Sequence, residues 1–225
     1  YLNATIEPGD IRKISTALHN FETSVGTNEV AKRIIDLRST KITPKMFEFK
    51  LLERAASQKM RIVLPEGAEE RILRATEVLV RRNVADIILL GDKNKILEKM
   101  VGLGLDDMQA TIIQPELAPC FEDYALTYQQ LRSKKGLSIE QARDVIADPT
   151  YFGTMMVYKG DADGMVSGSI NTTAHTIRPA FEFIKTKPGS SIVSSVFLMC
   201  LKDRVLAFGD CAVNPNPTPE QLADI

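Results

Sequence analysis

The stretch RIVLPEGAEERILRATEVLVRRNVADIILLG, residues 61–91, decides the fold. Arg61–Leu64 is a short apolar run. Pro65-Glu66-Gly67 turns it into a segment of helical period over about Glu69–Arg82. Val84–Leu90 is then apolar without alternation, the pattern of a strand buried on both faces.

The same rhythm continues downstream. Gly91-Asp92 caps another helix, and Thr111–Ile113 reads as a third strand. Helices follow at about Phe121–Arg132 and Ile139–Ala147, the second opened by a capping box of Ser138 and Gln141. Asp148-Pro149 stops it, and about Thr150–Lys159 is helical again. Gly164–Val166 reads as a strand, as do Ser191–Leu201 and Arg204–Phe208, and Thr218 with Gln221 forms a second capping box. Upstream, two amphipathic helices, about Ile11–Val25 and Asn28–Leu37, meet at Gly26, and a polar link, Ser39–Ile42, follows. Thr43-Pro44 starts a helix whose stripe is Phe47, Leu51, Leu52 and Ala55. Strands alternating with helices of this length predict an α/β fold, a mostly parallel sheet with helices on both faces. Ligands in such folds bind outside the carboxyl ends of the strands, which points to Ser167–Thr173.

Composition narrows the class. The chain has 225 residues, 44% hydrophobic and 25% charged, with a net charge of −1, so a core is affordable and no basic excess invites nucleic acid. Cys120, Cys200 and Cys211 are odd in number and widely spaced, which argues against a disulfide framework or a zinc site. A reducing, cytoplasmic location is expected: no apolar run reaches the roughly 20 residues of a membrane span, and no signal-peptide pattern opens the chain. The chain opens at Tyr1 and closes at Ile225 soon after a helix cap, and is expected to be a piece of a longer one.

The residues richest in chemistry lie in DGMVSGSINTTAHTIRPAFEFIKTKPGSS, 163–191. A strand ending at Ser167-Gly168-Ser169 and a helix beginning near Asn171 would aim free backbone N–H groups at an anion. Gly168 would admit a ligand close to the backbone. Ser167, Ser169, Thr172 and Thr173 can donate hydroxyls to phosphate oxygens. Arg178 precedes Pro179, which disfavours a helical backbone at 178 and predicts a break there. Its fork matches phosphate bidentately, and Lys185 and Lys187 add charge. The alternative on the same residues is a Ser/Thr-rich turn capped by Asn171 and a solvated charged helix. Neither GxxxxGK[ST] nor GxGxxG occurs.

Other candidates carry the same double reading. Arg132-Ser133-Lys134-Lys135-Gly136 is a cationic helix end stopped by glycine, or a clamp for a ligand phosphate. Glu66 is a carboxylate at a strand end that favours the next helix N-terminus, or a functional group. Asp210 and Asn214 are candidate polar site residues, and Cys211 is read as buried packing or as a reactive thiol. His19 reads as structural. His175 lies beside the loop, as a substrate contact or a surface residue. No HExxH appears, no Ser/His/Asp triad can be argued, and no metal is expected.

RIVLPEGAEERILRAT at 61–76, LLG at 89–91, LRSKKG at 131–136, DADGMVSGSINTTAHTIRPAFEFIKTKPGSSIVSSVFLM at 161–199 and FGDCAVNPNPTPEQLADI at 208–225 occur in the order of one family. They resemble the catalytic domain of phosphate acetyltransferases (phosphotransacetylases), from about Thr43 to the end. The helices before Thr43, with TPKMFEFKLLERA, resemble the linker to upstream regulatory domains. The resemblance implies residues 1–42 as helical linker, 43–190 as a first subdomain and 191–225 as the start of a second. It implies a fold similar to isocitrate and isopropylmalate dehydrogenases, with a cleft between two subdomains.

The implied reaction is acetyl-CoA plus phosphate giving acetyl phosphate plus CoA, reversibly, with CoA and acetyl phosphate as substrates and no cofactor. It implies a homodimer or higher homo-oligomer, without a nucleic-acid or membrane partner. Arg178 and Arg132 match family arginines that bind substrate phosphate and serve catalysis. Ser167, Gly168, Ser169, Asn171, Thr172 and Thr173 fall in the family's substrate loop, and Asn214 matches a polar residue near the cleft. The family's serine-threonine-glycine motif, with the aspartate that deprotonates the CoA thiol, matches nothing in residues 1–225, so this stretch alone is expected to be weak or inactive. Phosphate butyryl transfer, or acyl-CoA sensing without turnover, are the alternatives.

Overall fold

The computed structural model describes residues 10–36, 42–105 and 108–225. The chain divides into two units, Tyr1–Thr43 and Pro44–Ile225. The first contains two helices, α1 (Ile11–Ser24) and α2 (Thr27–Asp36), as the periodicity predicts; Leu37 and the link at 39–41 lie outside the described residues. His19 is exposed on α1.

The second unit opens with α3 (Pro44–Ser57), of whose predicted stripe Phe47, Leu52 and Ala55 are half-buried and Leu51 is exposed. It is then built on β1 (Arg61–Leu64), α4 (Glu70–Arg81) and β2 (Asp86–Leu90). β1 and β2 pair in parallel, Ile62 against Ile87, Val63 against Ile88 and Leu64 against Leu89. Side chains alternate between the faces of a strand. Val63, Ile88 and Leu90 therefore enter one core, and Leu64, Ile87 and Leu89 the other. The first core is closed by α6 (Phe121–Leu131), α7 (Ile139–Ile146) and α8 (Pro149–Lys159), through Tyr124, Ile146 and Phe152. The second is closed by α4 and α5 (Lys93–Gly102), through Leu73, Ile96 and Met100. Helices on both faces are what the unbroken apolar run of residues 84–90 requires.

Two further strands, β3 (Thr111–Ile113) and β4 (Gly164–Met165), complete a parallel sheet of order β3-β2-β1-β4. The chain moves outward from β1 to β3 and then returns to the other side of β1. The winding therefore reverses between β1 and β4, and a crevice opens at the carboxyl ends of those two strands. At their other ends Arg61 clasps them together. Its guanidinium donates to the carbonyls of Gly160 and Asp161, both at 2.9 Å, and to Asp163 Oδ1 at 2.8 Å. The Arg61 hydrogen bonds hold the Asp163 carboxyl down, at about 2.

The late strands do not join this sheet. β5 (Val196–Cys200) and β6 (Val205–Gly209) form a separate antiparallel pair, Phe197 opposite Phe208. β5 starts later than the run from Ser191 suggested, and all its residues are exposed. A short α10 (Pro219–Asp224) follows, opened by the predicted Thr218–Gln221 capping box.

Gly67 marks how tightly the turn after β1 is packed. Its N–H donates to the Leu90 carbonyl at 3.1 Å, and a Cβ there would sit 2.6 Å from that same oxygen. The Leu90 carbonyl is backbone within the sheet and cannot easily yield, and Ile96 Cδ1 and Leu89 Cβ stand at 3.1 Å. Gly67→Ala is expected to lower unfolding free energy by about 2 kcal/mol, as overpacking does, measured by urea denaturation of the two proteins.

Candidate active site

The crevice between β1 and β4 is occupied by one of the chain's own side chains. Glu66, 5% exposed, points its carboxylate into the loop that follows β4. Oε2 accepts the backbone N–H groups of Gly168 (3.0 Å) and Ser169 (2.9 Å), and Oε1 those of Ile170 (2.7 Å) and Asn171 (2.6 Å). Burial pushes the Glu66 carboxyl up, and the backbone donors together reverse this and leave it below its ordinary value. Arg71, at the start of α4, adds a second tie by donating to the Ser169 carbonyl at 2.9 Å.

This corrects the sequence expectation for the loop. The amides expected to face a ligand anion are satisfied by Glu66. Nor does Glu66 serve α4: Glu69 caps that helix, accepting from the Arg71 and Ile72 amides. Gly168 is needed for its φ of +117°, since a Cβ on it would meet nothing within 4 Å. The helix after the loop, α9 (Thr173–Pro179), begins later than Asn171, with Thr172 as cap: its hydroxyl accepts from the His175 N–H at 3.2 Å. Asn171 turns inward, its amide donating to Thr150 Oγ1 at 3.1 Å and Ser167 Oγ at 3.4 Å. His175 Nε2 contacts Asp148, the α8 N-cap, at 3.2 Å, so the histidine ties two helix starts together.

Arg178 stays helical, against the break predicted before Pro179. The helix instead widens after it, into one π-helical turn at Ala180–Ile184, ended by Lys185 at φ +62°. Proline lacks the N–H that would continue the regular ladder. On the facing side, α6 ends in Arg132, a 3₁₀ turn spans Ser133–Lys135, and Gly136 takes the left-handed conformation at φ +65°. The reading of that basic run as a cationic helix end stopped by glycine is what the backbone shows.

Arg132 and Arg178 meet across a cleft of about 530 Å³, lined also by Lys135, Ala174, Ile177, Phe181, Glu182, Ala212 and Val213. That volume is in the range of small-ligand sites. Arg178 is exposed and makes no ion pair among the described residues, while Arg132 Nη2 lies 3.6 Å from Glu182 Oε1. The cleft is cationic on balance and suits a phosphate. Ser167, Gly168, Ser169, Asn171, Thr172, Thr173 and Asn214 do not line it. Asn214 braces its floor instead: the side chain donates to the Val193 carbonyl (2.8 Å) and to Asp210, which also takes the Val213 N–H at 2.8 Å. Asp210 has a φ of +42° there. Cys211, read as buried packing or as a reactive thiol, is exposed, which removes the first reading. Lys185 and Lys187 are exposed and line none of the cleft. Among the described residues no His/Cys/Asp/Glu group could hold a metal ion.

Residues 46–225 match the phosphate acetyl/butaryl transferase family model. The chain belongs to this family. The phosphate acetyltransferase of Nitratidesulfovibrio vulgaris is 67% identical over 224 residues, covering 100% of this chain and 32% of that protein. The one from Synechocystis sp. is 47% identical over 226 residues, again covering 100% and 32%. The chain thus spans about a third of the length of these relatives. A phosphotransacetylase structure from Streptococcus pyogenes superposes with a TM-score of 0.76 at 38% identity, over 81% of this chain and 56% of that one. The α/β fold with its parallel sheet is therefore that of the phosphate acetyl/butaryl transferases.

Sequence reasoning named Glu66, as a carboxylate at a strand end that favours the next helix N-terminus or as a functional group, and passed over Glu182, which lines the cleft. Glu182 had a usable signal, since it stands four residues after Arg178, one turn along the same helical face.

Replacing Glu66 by Gln keeps one acceptor and points an amide N–H at two donors. We expect Glu66→Gln to lose about 3 kcal/mol of stability, the scale of buried hydrogen bonds to a charged group. A carboxyl held below its ordinary value contributes fully above the carboxylate range and loses that contribution as pH falls through its folded value. Hydrogen exchange at the 168–171 amides should therefore show protection at neutral pH that is lost in acid. In the Gln variant that protection should be weak at both.

Proposed function

We propose that the protein of which this chain is part is a phosphate acetyltransferase, moving an acetyl group reversibly between the CoA thiol and inorganic phosphate. The observation that carries this is the meeting of Arg132 and Arg178 on one cleft of small-ligand size. In the acetyl-CoA-forming direction, a CoA thiolate attacks the carbonyl carbon of acetyl phosphate. The C–S bond forms, the C–O bond to phosphate breaks, and the electron pair leaves on the phosphate oxygen. The thiol proton passes to a base outside the residues assigned here. Nothing is oxidised or reduced, so the exchange needs no prosthetic group.

In this reading the two arginines and Lys135 hold substrate phosphate and neutralise negative charge on it, which their shared cleft supports. Thr172 and Thr173, exposed at the head of α9, can still donate hydroxyl hydrogens to a ligand. The Gly168–Asn171 amides, held by Glu66, serve as scaffold. The cytoplasm, acetate metabolism and a homo-oligomeric state belong to the same proposal. No helix among the described residues is long and apolar enough to cross a membrane.

The test is an acetyl-CoA-forming assay on the full-length protein. Arg178→Ala is expected to cut kcat/KM about a hundredfold or more, as loss of one charge-stabilising donor does. Arg178→Lys should recover part of that, because a point charge replaces a fork. Equal activity in Arg178→Ala would remove this residue from the site. A preference for butyryl-CoA over acetyl-CoA would reassign the substrate.

A further inference from the structure

Residues 166–178 carry Thr172, Thr173 and Arg178, yet none of the thirteen positions is part of either hydrophobic core. Val166 and Ile170 are exposed. The flanks are anchored: Met165 packs against the first core, and Pro179 and Phe183 are buried. The segment between them is therefore held by polar ties and not by apolar burial. A segment of this kind opens locally at a lower free energy than the cores it borders.

Four ties hold it. Glu66 accepts four backbone N–H groups, Arg71 donates to the Ser169 carbonyl, Asn171 donates to Thr150, and His175 meets Asp148. The Glu66 catch is the strongest, since its bonds are charge-assisted and its carboxylate is buried. The charged groups around it are committed elsewhere. Glu69 and Arg71, at the start of α4, pair with each other, and Lys99 of α5 donates to the Ala68 carbonyl at 2.7 Å. Asp148 and His175 pair beyond Asn171. The loop 168–171 carries no charged side chain. One ionisable group therefore governs the catch.

We propose that Glu66 is a positioning residue for substrate: its grip on the 168–171 amides keeps the head of α9, and with it Arg178, ready for a ligand, so that ligand binding and the catch are coupled. The inference rests on Arg178 meeting a phosphate-bearing substrate, either CoA or the phosphate that exchanges with it. A segment ordered beforehand binds with a smaller loss of entropy. Coupling is reciprocal, so a ligand that prefers the closed catch also holds it closed, by the same factor. Burial raises the Glu66 carboxyl, and its four backbone donors together bring it below the ordinary value. The catch is thus closed at neutral pH and opens as pH falls through the folded value. Acid serves as its probe, and a bound ligand should lower the pH at which it opens.

The experiment follows hydrogen exchange of the full-length protein from neutral pH into acid, alone, with CoA and with inorganic phosphate. KM and kcat are measured at neutral pH for wild type, Glu66→Gln and Glu66→Ala. Residues 168–178 should lose protection at a pH where β1 and β2 amides keep theirs. Ligand should raise protection at 168–171 about tenfold, within the usual range of coupling between sites, and carry it to lower pH. Closure by CoA alone or by phosphate alone supports the proposal and names the substrate that α9 meets. Glu66→Gln should raise KM about tenfold for whichever substrate closes the catch. In Glu66→Ala, formate, a carboxylate small enough to enter the vacated nest, should restore part of both protection and KM, with no gain for the wild type. Ligands that leave protection at 168–171 unchanged would overturn the proposal. So would loss of loop and sheet protection at one and the same pH, or unchanged KM values in both variants. Should neither variant fold, the wild-type exchange decides by itself. A catch that ligand closes in a protein that makes no acetyl-CoA would overturn the reaction alone.

Discussion

One carboxylate inside a ring of backbone N–H groups organises the loop beyond β4 and the helix that follows it. Glu66 ends β1, and the amides it accepts begin the segment after β4. The two strands are neighbours in the sheet, but the contact spans 102 residues of sequence or more. A buried charge is tolerable only when its acceptors are satisfied, and here each oxygen has two donors. The same bonds fix the approach to α9 and thereby the place of Arg178. Where parallel α/β folds commonly leave amides free for a ligand, an internal anion takes them, and the two arginines line a separate cleft between α6 and α9.

The sheet makes this possible because it is clamped at both ends of the same strand pair. Arg61 holds the amino ends of β1 and β4, and Glu66 ties down the loop beyond their carboxyl ends. Between the clamps the alternating residues of β1 and β2 feed two separate cores, so the strands cannot slide without exposing both. Loop precision is thus inherited from the sheet. It does not depend on the loop's own composition, which is rich in small, flexible residues.

Most elements were legible because their signals are local. The unbroken run at 84–90, the capping residues Asp92, Ser138 and Thr218, the stop at Asp148-Pro149 and the glycine stop at 136 each specify structure within a few residues. Arg132 and Arg178 stand out by charge, but only the resemblance predicted a shared site, since spacing along the chain says nothing about two helices meeting. The loop misleads for the same reason. Its amides look free in sequence, and the partner that satisfies them is remote. The helix through Arg178 runs on against the local preference before proline because its packing outweighs that preference: Pro179 is fully buried and Phe183 nearly so.

Taken alone, as about a third of the length of its relatives, the chain leaves the ribbon of β5 and β6 bare, with a consequence for how these 225 residues behave in isolation. Val196–Cys200 is a short, uncharged, proline-free segment of strong strand formers with both faces open to water. Such segments seed intermolecular pairing. A net charge of −1 gives copies of the chain almost no mutual repulsion. What opposes association is local: Lys202, Asp203 and Arg204, all exposed, crowd the turn between the strands and act as gatekeepers. The colloidal stability of these residues thus depends on three charges at one hairpin tip more than on the surface as a whole.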